Sequence, residues 1–555
     1  MRRWLWPTVL GVAVLLFSWW FLTPQLVTKG PGDDMFFHMN RIMSIWEGWR
    51  EGQFPVRVYG RQLDGFGVPE GLFYPDVNLW LPALLYGAGV PIVTVYHLYW
   101  LGVTALAVFG GWFAFSRWTG SAVGGALAAV LYQGVFVTQL LVLSSPGSAF
   151  ASACLPLAFF ALFALLRREG GERYWPLLVL AGAGVLLSHL ISALLFVGMA
   201  LCFVAVSWRQ LAASAVRRRA LVLAAVFTAL GCAWWYVPFL RLYGALDFSI
   251  KAGGMTPSLH GMTNGAGELA LAGFWWGWPL VALALVCLAR HHDVRRDRYW
   301  LLCFAGCAVL SLGCSTVFPW QALEGLPFLH WLSKLQFPIR FLLPFAVFPA
   351  LFVGRYLGEM LRGRQVAAAV LCLLVAGLSA WPASHMHAWI GPFDMRWTAA
   401  REAAPRELPT SGPLVYPHGV DYLYRGVDAA AVRASFGTPA VPQVSGRDVR
   451  LSGWRQRGTR FSFAVSAPDG AVVRLPLFFY PGYAAWDEAG REVAVREGRD
   501  HLVEVVLPPG GTAVFGRYAG RPWFLWLDVL AVASWGAFAW GCWRRRRAGG
   551  SQGAF

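Results

Sequence analysis

Apolar runs of about 18 to 23 residues recur along this 555-residue chain, each long enough to cross roughly 30 Å of hydrocarbon. Lipid offers no hydrogen bonds to a backbone, so runs of this kind are satisfied as helices. With 57% hydrophobic, 15% aromatic and only 14% charged residues, the chain is too apolar for an ordinary soluble domain. In a soluble protein a net charge of +17 would point to nucleic acid. Here the arginines stand at the ends of the apolar runs, where they set topology and meet lipid headgroups. Membrane lipids are therefore the expected partners, and no nucleic acid is.

Hydropathy places helices near 4–22, 94–115, 121–142, 148–166, 174–189, 191–207, 219–240, 268–289, 299–315, 339–356, 366–382 and 523–543. Twelve spans with both termini cytoplasmic put every short arginine-rich connection on one side, from Arg2/Arg3 to Arg544–Arg547. That solution requires DVNLWLPALLYGAGVP, residues 76–91, to lie at the interface or re-enter, as its two prolines and short apolar length suggest. The N-terminus has a basic start, a long apolar core and no small-residue exit, and reads as an uncleaved signal anchor. All nine cysteines sit within apolar runs, so no disulfide framework is expected.

The long connections gather on the opposite face. Residues 23–93 form a first outer loop within a transmembrane domain of residues 1–382. Residues 383–521 are long enough for an extracytoplasmic domain, and 522–555 supply a last helix and a basic cytoplasmic tail. In the outer segment the pattern changes to alternation, in TRFSFAVS (459–466), AVVRLPLFF (471–479), LVEVVL (502–507) and TAVFGRY (512–518). Turn formers such as Pro468-Asp469-Gly470 separate these runs, which predicts a small β-sandwich. Its Tyr483 and Trp486 are read chiefly as core aromatics. The fold class is an α-helical polytopic bundle with a C-terminal β-sandwich-like domain.

The first outer loop opens with GDDMFFHMNR, residues 32–41. Met35, Met39, Ile42, Trp46 and Trp49 recur at helical spacing and predict a helix lying in the membrane interface. Asp34, His38 and Arg41 share another face, so a carboxylate, an imidazole and a guanidinium line one stripe pointing away from lipid. A helix cap accounts for one of Asp33 and Asp34; the second has a weaker local explanation. Further on, Arg57, Arg61 and Asp64 are available to a polar or anionic ligand. Arg340, in KLQFPIRF, lies at an outer helix end where charge is costly, with Lys334 nearby. His189, in LLSHLIS, serves equally as a phosphate ligand or a helix cap. His97, Lys251 and His260 fall on the same face.

GDDMFFHMNRI, GQFPVRVYG, GFGVPEGLFYPD and LQFPIRFLLP in this order resemble the GT-C superfamily of membrane glycosyltransferases, and within it YfhO-like bacterial membrane proteins. The tail LPLFFYPGYAAWDEAGREV resembles the end of that family's outer domain. The likeness implies a bacterial cytoplasmic-membrane enzyme that takes a sugar from a polyprenyl-phosphate-linked donor to an extracytoplasmic glycan, lipid or protein acceptor. It implies Asp33 or Asp34 as base or as metal ligand, with Mg or Mn as the candidate ions. Beside the resemblance, the topology places His38, Arg41, Arg57, His189, Lys334 and Arg340 at or beyond the outer surface, where they are candidates to hold the donor phosphate. The family's R-G…E stretch reads SSPGSAFASA (144–153) here, with Phe150 near the place of the acid.

Sugar transfer needs a base for the acceptor hydroxyl and positive charge for the departing phosphate. A lipid or polysaccharide transporter or flippase instead calls for ionisable groups at mid-membrane, which these spans almost lack. A noncatalytic glycan-binding scaffold of the envelope is the third reading.

Overall fold

The computed structural model describes residues 2–18, 34–143, 145–252, 280, 282–284, 286–287, 342–385, 420–437 and 439–549. The described chain is mostly helical, with one antiparallel sheet near the C-terminus. Helices begin where the sequence supplies caps. Ser145 and Ser214 accept hydrogen bonds from the amides of Ser148 and Arg217 at 3.5 and 3.4 Å. Pro146 and Pro522 sit in first turns, where a missing N–H costs nothing.

Among the described residues, four helices are long and apolar enough to cross a membrane: Ile92–Thr119, Pro146–Arg167, Ala215–Ala245 and Pro522–Arg545. Shorter apolar helices include Trp4–Ser18, Ala122–Val135, Leu190–Val206 and Gln365–Ser379. The expected span at 174–189 is a helix of only 12 residues, Trp175–Leu186. By length and composition the described residues supply four candidate spans of the about twelve expected. The spans expected at 299–315 and, apart from six positions, at 268–289 lie outside the described residues. Residues 76–91 form a short helix, Val77–Gly87.

Small residues let these helices approach closely. Helix Ala122–Leu143 packs against Leu342–Met360 where a Cβ on Gly354 would stand 2.6 Å from the Gly124 carbonyl oxygen. A Cβ on Gly358 would meet the Gly124 Cα at 2.6 Å, so side chains at these positions would force the helices apart.

The C-terminal sheet has eight strands, β1 (Gln443–Ser445), β2 (Arg450–Arg457), β3 (Arg460–Ala467), β4 (Ala471–Phe478), β5 (Tyr483–Asp487), β6 (Glu492–Glu497), β7 (Leu502–Leu507) and β8 (Gly510–Tyr518). Their order is β1-β4-β7-β6-β5-β8-β3-β2, with every neighbour antiparallel. The expected sandwich is therefore one continuous ladder curled into a near-barrel. The β5–β6 pair joins its two halves where a sandwich would have a gap. Alternation builds its interior: Phe461, Phe463, Val465 and Ala467 of β3 point in, and the residues between them point out.

The first outer loop completes that interior. Phe37, Val58, Leu63, Phe66 and Val68 pack in the same buried cluster as Leu475, Leu477, Phe478 and Tyr480. The Glu51 carboxylate accepts from the Thr459 amide at 2.9 Å and its hydroxyl at 2.8 Å, and Arg460 Nε donates to the Glu51 carbonyl at 2.7 Å. Phe478 N donates to the Phe66 carbonyl at 2.8 Å, and Gln456 Nε2 to that of Gly65 at 2.6 Å. On its other side the loop holds the C-terminal helix, for Arg57 pairs with Asp528 at 2.8 Å and stacks over Phe524.

Gly60 marks the closest approach of loop and sheet, because a Cβ there would lie 2.5 Å from the Gly458 Cα. Gly60→Ala is expected to destabilise the folded protein by about 1–3 kcal/mol, read as a lowered melting temperature in detergent and faster proteolysis at the loop. Gly536→Ala, where the added methyl meets open space, is expected to leave both unchanged.

Candidate functional site

The loop helix runs from Asp34 to Arg50. Its middle is covered by protein on all sides: every residue from Phe37 to Ile45 is buried. Met39, Ile42, Met43 and Ile45 pack with Tyr59, Leu79, Val95 and Trp100. The opposite stripe, expected to point outward, is covered as well, with His38 3% and Arg41 2% exposed. A hydrophobic period identifies the apolar face of a helix and is silent about what will cover the polar one.

A guanidinium so deeply buried needs a counter-charge, and Arg41 finds it in Asp76, whose carboxylate also accepts from the Tyr59 hydroxyl. Asp76 precedes helix Val77–Gly87 in the N-cap position but makes no capping bond with its side chain. Its φ of 53° lies in the left-handed region, which aspartate tolerates better than most residues. The carboxylate is thus turned away from its own helix and toward Arg41. Arg41 Nη1 lies 2.7 Å from His38 Nδ1. A guanidinium only donates, so Nδ1 accepts and His38 is the neutral tautomer with its proton on Nε2. The Arg41 guanidinium sits 3.9 Å from the centre of the Tyr74 ring, and the Tyr74 and Tyr422 hydroxyls meet at 2.8 Å.

Glu70 completes the centre. It opens the single turn Glu70–Phe73, is 0% exposed, and neither carboxylate oxygen has a hydrogen-bond partner among the described residues. Burial pushes its pKa up to about 8, against a smaller downward pull from Arg41. Burial also raises Asp76, to about 6, and Arg41 and its hydrogen bond only partly oppose that rise. Burial lowers the Arg41 guanidinium, and the groups around it, with the Asp76 carboxylate foremost, more than restore it. At neutral pH the centre is therefore an Arg41–Asp76 ion pair beside a Glu70 that keeps its proton, with no net charge. One carboxylate compensates the cation and the other avoids ionisation, as expected in a medium that penalises charge.

The remaining candidates are dispersed. Asp34 begins the loop helix, with its side chain outside the described portion; Asp33, Lys334, Arg340 and His260 also lie outside the described residues. Arg57 is engaged with Asp528 and stands apart from the Arg41 centre. His189 caps helix Leu190–Val206, its Nδ1 3.3 Å from the Ser192 amide and 2.9 Å from the Ser192 hydroxyl. Arg61 pairs with Glu47 at 3.0 Å and Asp64 pairs with Arg433, so neither is left open to an anionic ligand. Lys251 lies over the Tyr243 ring at 5.0 Å. Sequence reasoning missed Glu70, Asp76 and Tyr59. Their only local sign is two carboxylates within the otherwise apolar GVPEGLFYPDV.

Among the described residues no three His, Cys, Asp or Glu side chains converge as metal ligands. The buried centre does not fit a divalent cation, because Arg41 already occupies the field of both carboxylates and Asp76 is held by Arg41 and Tyr59. It is also closed, so in this conformation it orients the start of the loop helix and exposes no reactive atom.

The raised Glu70 pKa gives a pH signature. Between pH 4.5 and about 8 the folded state retains a proton that the unfolded chain releases, so stability falls as pH rises through that window. The slope is at most about 1.4 kcal/mol per pH unit. Glu70→Gln is expected to flatten the melting temperature between about pH 6, above which Asp76 no longer contributes, and about pH 8, and to gain most over wild type above pH 8; identical profiles would refute the assignment. Arg41→Met, which leaves Asp76 without its cation, is expected to cost about 3–5 kcal/mol at pH 8, read in the same melts. No protein-family model matches the chain, and no curated protein matches it.

Proposed function

We propose that this chain is a membrane glycosyltransferase that moves a sugar from a polyprenyl-phosphate-linked donor to an extracytoplasmic acceptor, with both termini in the cytoplasm of a bacterial cell. One observation carries the reading: a carboxylate begins a helix whose orientation is held by the buried Arg41–Asp76 pair. A base must be held in one place to act on an acceptor hydroxyl, and a buried ion pair at the end of the second turn favours that restraint.

In the proposed reaction Asp34, or Asp33 beside it, takes the proton of the acceptor hydroxyl. The acceptor oxygen bonds to the anomeric carbon while the bond from that carbon to the phosphate oxygen breaks, and the electron pair leaves on the phosphate. Arg340 and Lys334 are the cations proposed to meet that charge. His38 and Arg41 act one step back, as positioning residues that set where the helix begins. A divalent ion at Asp33 and Asp34 belongs to this proposal only as an option, and no step depends on it.

Membranes carrying Asp33→Asn or Asp34→Asn are to be assayed for transfer from a radiolabelled polyprenyl-phosphate sugar. The expected result is a loss of about 10²–10⁴-fold in one variant, the usual contribution of a general base, with melting unchanged. Wild-type rates in both variants would overturn the catalytic assignment.

A further inference from the structure

On the outer face of the β5-β8-β3-β2 half of the sheet lies a cleft of about 800 Å³, which the function proposed above does not use. Its register is ordered in two rows across the strands. In one row Arg455 faces Ser462, Ser462 faces Phe515, and Phe515 faces Trp486. In the next, Arg457 faces Arg460 directly, and Arg517 faces Ala484. All four arginines are exposed, Phe515 is 52% exposed, and Trp454 and Trp486 are half-buried at the rim.

Like charges opposite one another across a ladder destabilise a sheet. Nothing in the cleft relieves them: no acidic side chain lines it, and Arg455, Arg457 and Arg517 form no ion pair with a described residue. Arg460 alone is engaged, through its Nε, with the Glu51 carbonyl. Such a surface is complemented by an anion that also presents flat faces to aromatic rings. No Leu, Ile, Val or Met lines the cleft, so it lacks the aliphatic groups with which a surface enters acyl chains.

We infer that this cleft binds an acidic polysaccharide, with Arg455, Arg457 and Arg517 meeting its carboxylate or phosphate groups and Trp486 and Phe515 stacking on its sugar rings. The site holds a polymer on the outer domain, apart from the start of the loop helix where transfer is proposed. It stands or falls on binding alone, whatever becomes of the transfer reaction.

The test uses the full chain in phosphatidylcholine nanodiscs, with fluorescent polygalacturonate as probe and dextran of matched length as the neutral control. Polygalacturonate is expected to bind and to weaken as salt is raised, while dextran does not bind. The combined Arg455→Gln, Arg457→Gln and Arg517→Gln variant is expected to lose at least tenfold in affinity at an unchanged melting temperature. Trp486→Ala, which keeps all the charge, is expected to lose several-fold while preserving the salt dependence, and it serves as the test should the triple variant melt early. Equal affinity in wild type and both variants would overturn the inference. So would binding to phosphatidylglycerol vesicles that the triple variant loses while polygalacturonate never binds, an outcome that assigns the arginines to lipid headgroups.

Discussion

The guanidinium of Arg41 is the group around which the outer part of this protein is organised. Buried among Phe37, Tyr74 and the loop residues that follow, it is stable only with a counter-charge supplied from elsewhere in the chain. Asp76 supplies it by adopting a left-handed backbone and giving up its role as a helix cap. The pair is held from one side by Tyr59 and from the other by His38, and Glu70 escapes the same constraint by retaining its proton. The loop helix cannot rotate without breaking this set, so its first residues inherit a defined position.

The sheet closes over the loop that carries this centre. The contact between Glu51 and Thr459 joins residues 408 apart in sequence, and the apolar cluster beneath them mixes loop and strand residues without a boundary. The outer loop is thus the third component of an interface whose other members are the sheet and the C-terminal helix, the last held through Arg57 and Asp528. These contacts join the loop, the sheet and the C-terminal helix into one packed unit.

Particular elements show how far the residue pattern reaches. Strands β3, β4, β7 and β8 coincide with the alternating runs at 459–466, 471–479, 502–507 and 512–518. Strand β2 was hidden by Gly453 and its arginines, and β5 by its short, alanine-rich run, because neither presents a clean apolar face. The polar stripe of the loop helix was legible as a stripe, while its burial was not: the partner of Arg41 lies 35 residues away across an irregular segment. His189 had two local readings, and the geometry at Ser192 displays the capping one.

Local composition sufficed to mark four helices long and apolar enough to cross a membrane, the change to alternating strands and the helix that begins at Asp34. Hydropathy, period and caps act within a few turns of chain, so they can be read along it. Packing decided the rest: that the sheet is one curled ladder, that Arg41, Arg57, Arg61 and Asp64 have protein partners, and that three arginines with no ion pair among the described residues share one cleft. Burial and counter-charge depend on what distant segments place on top of a residue. Those distances are set by the closed interface of loop, sheet and C-terminal helix, and no local pattern carries them.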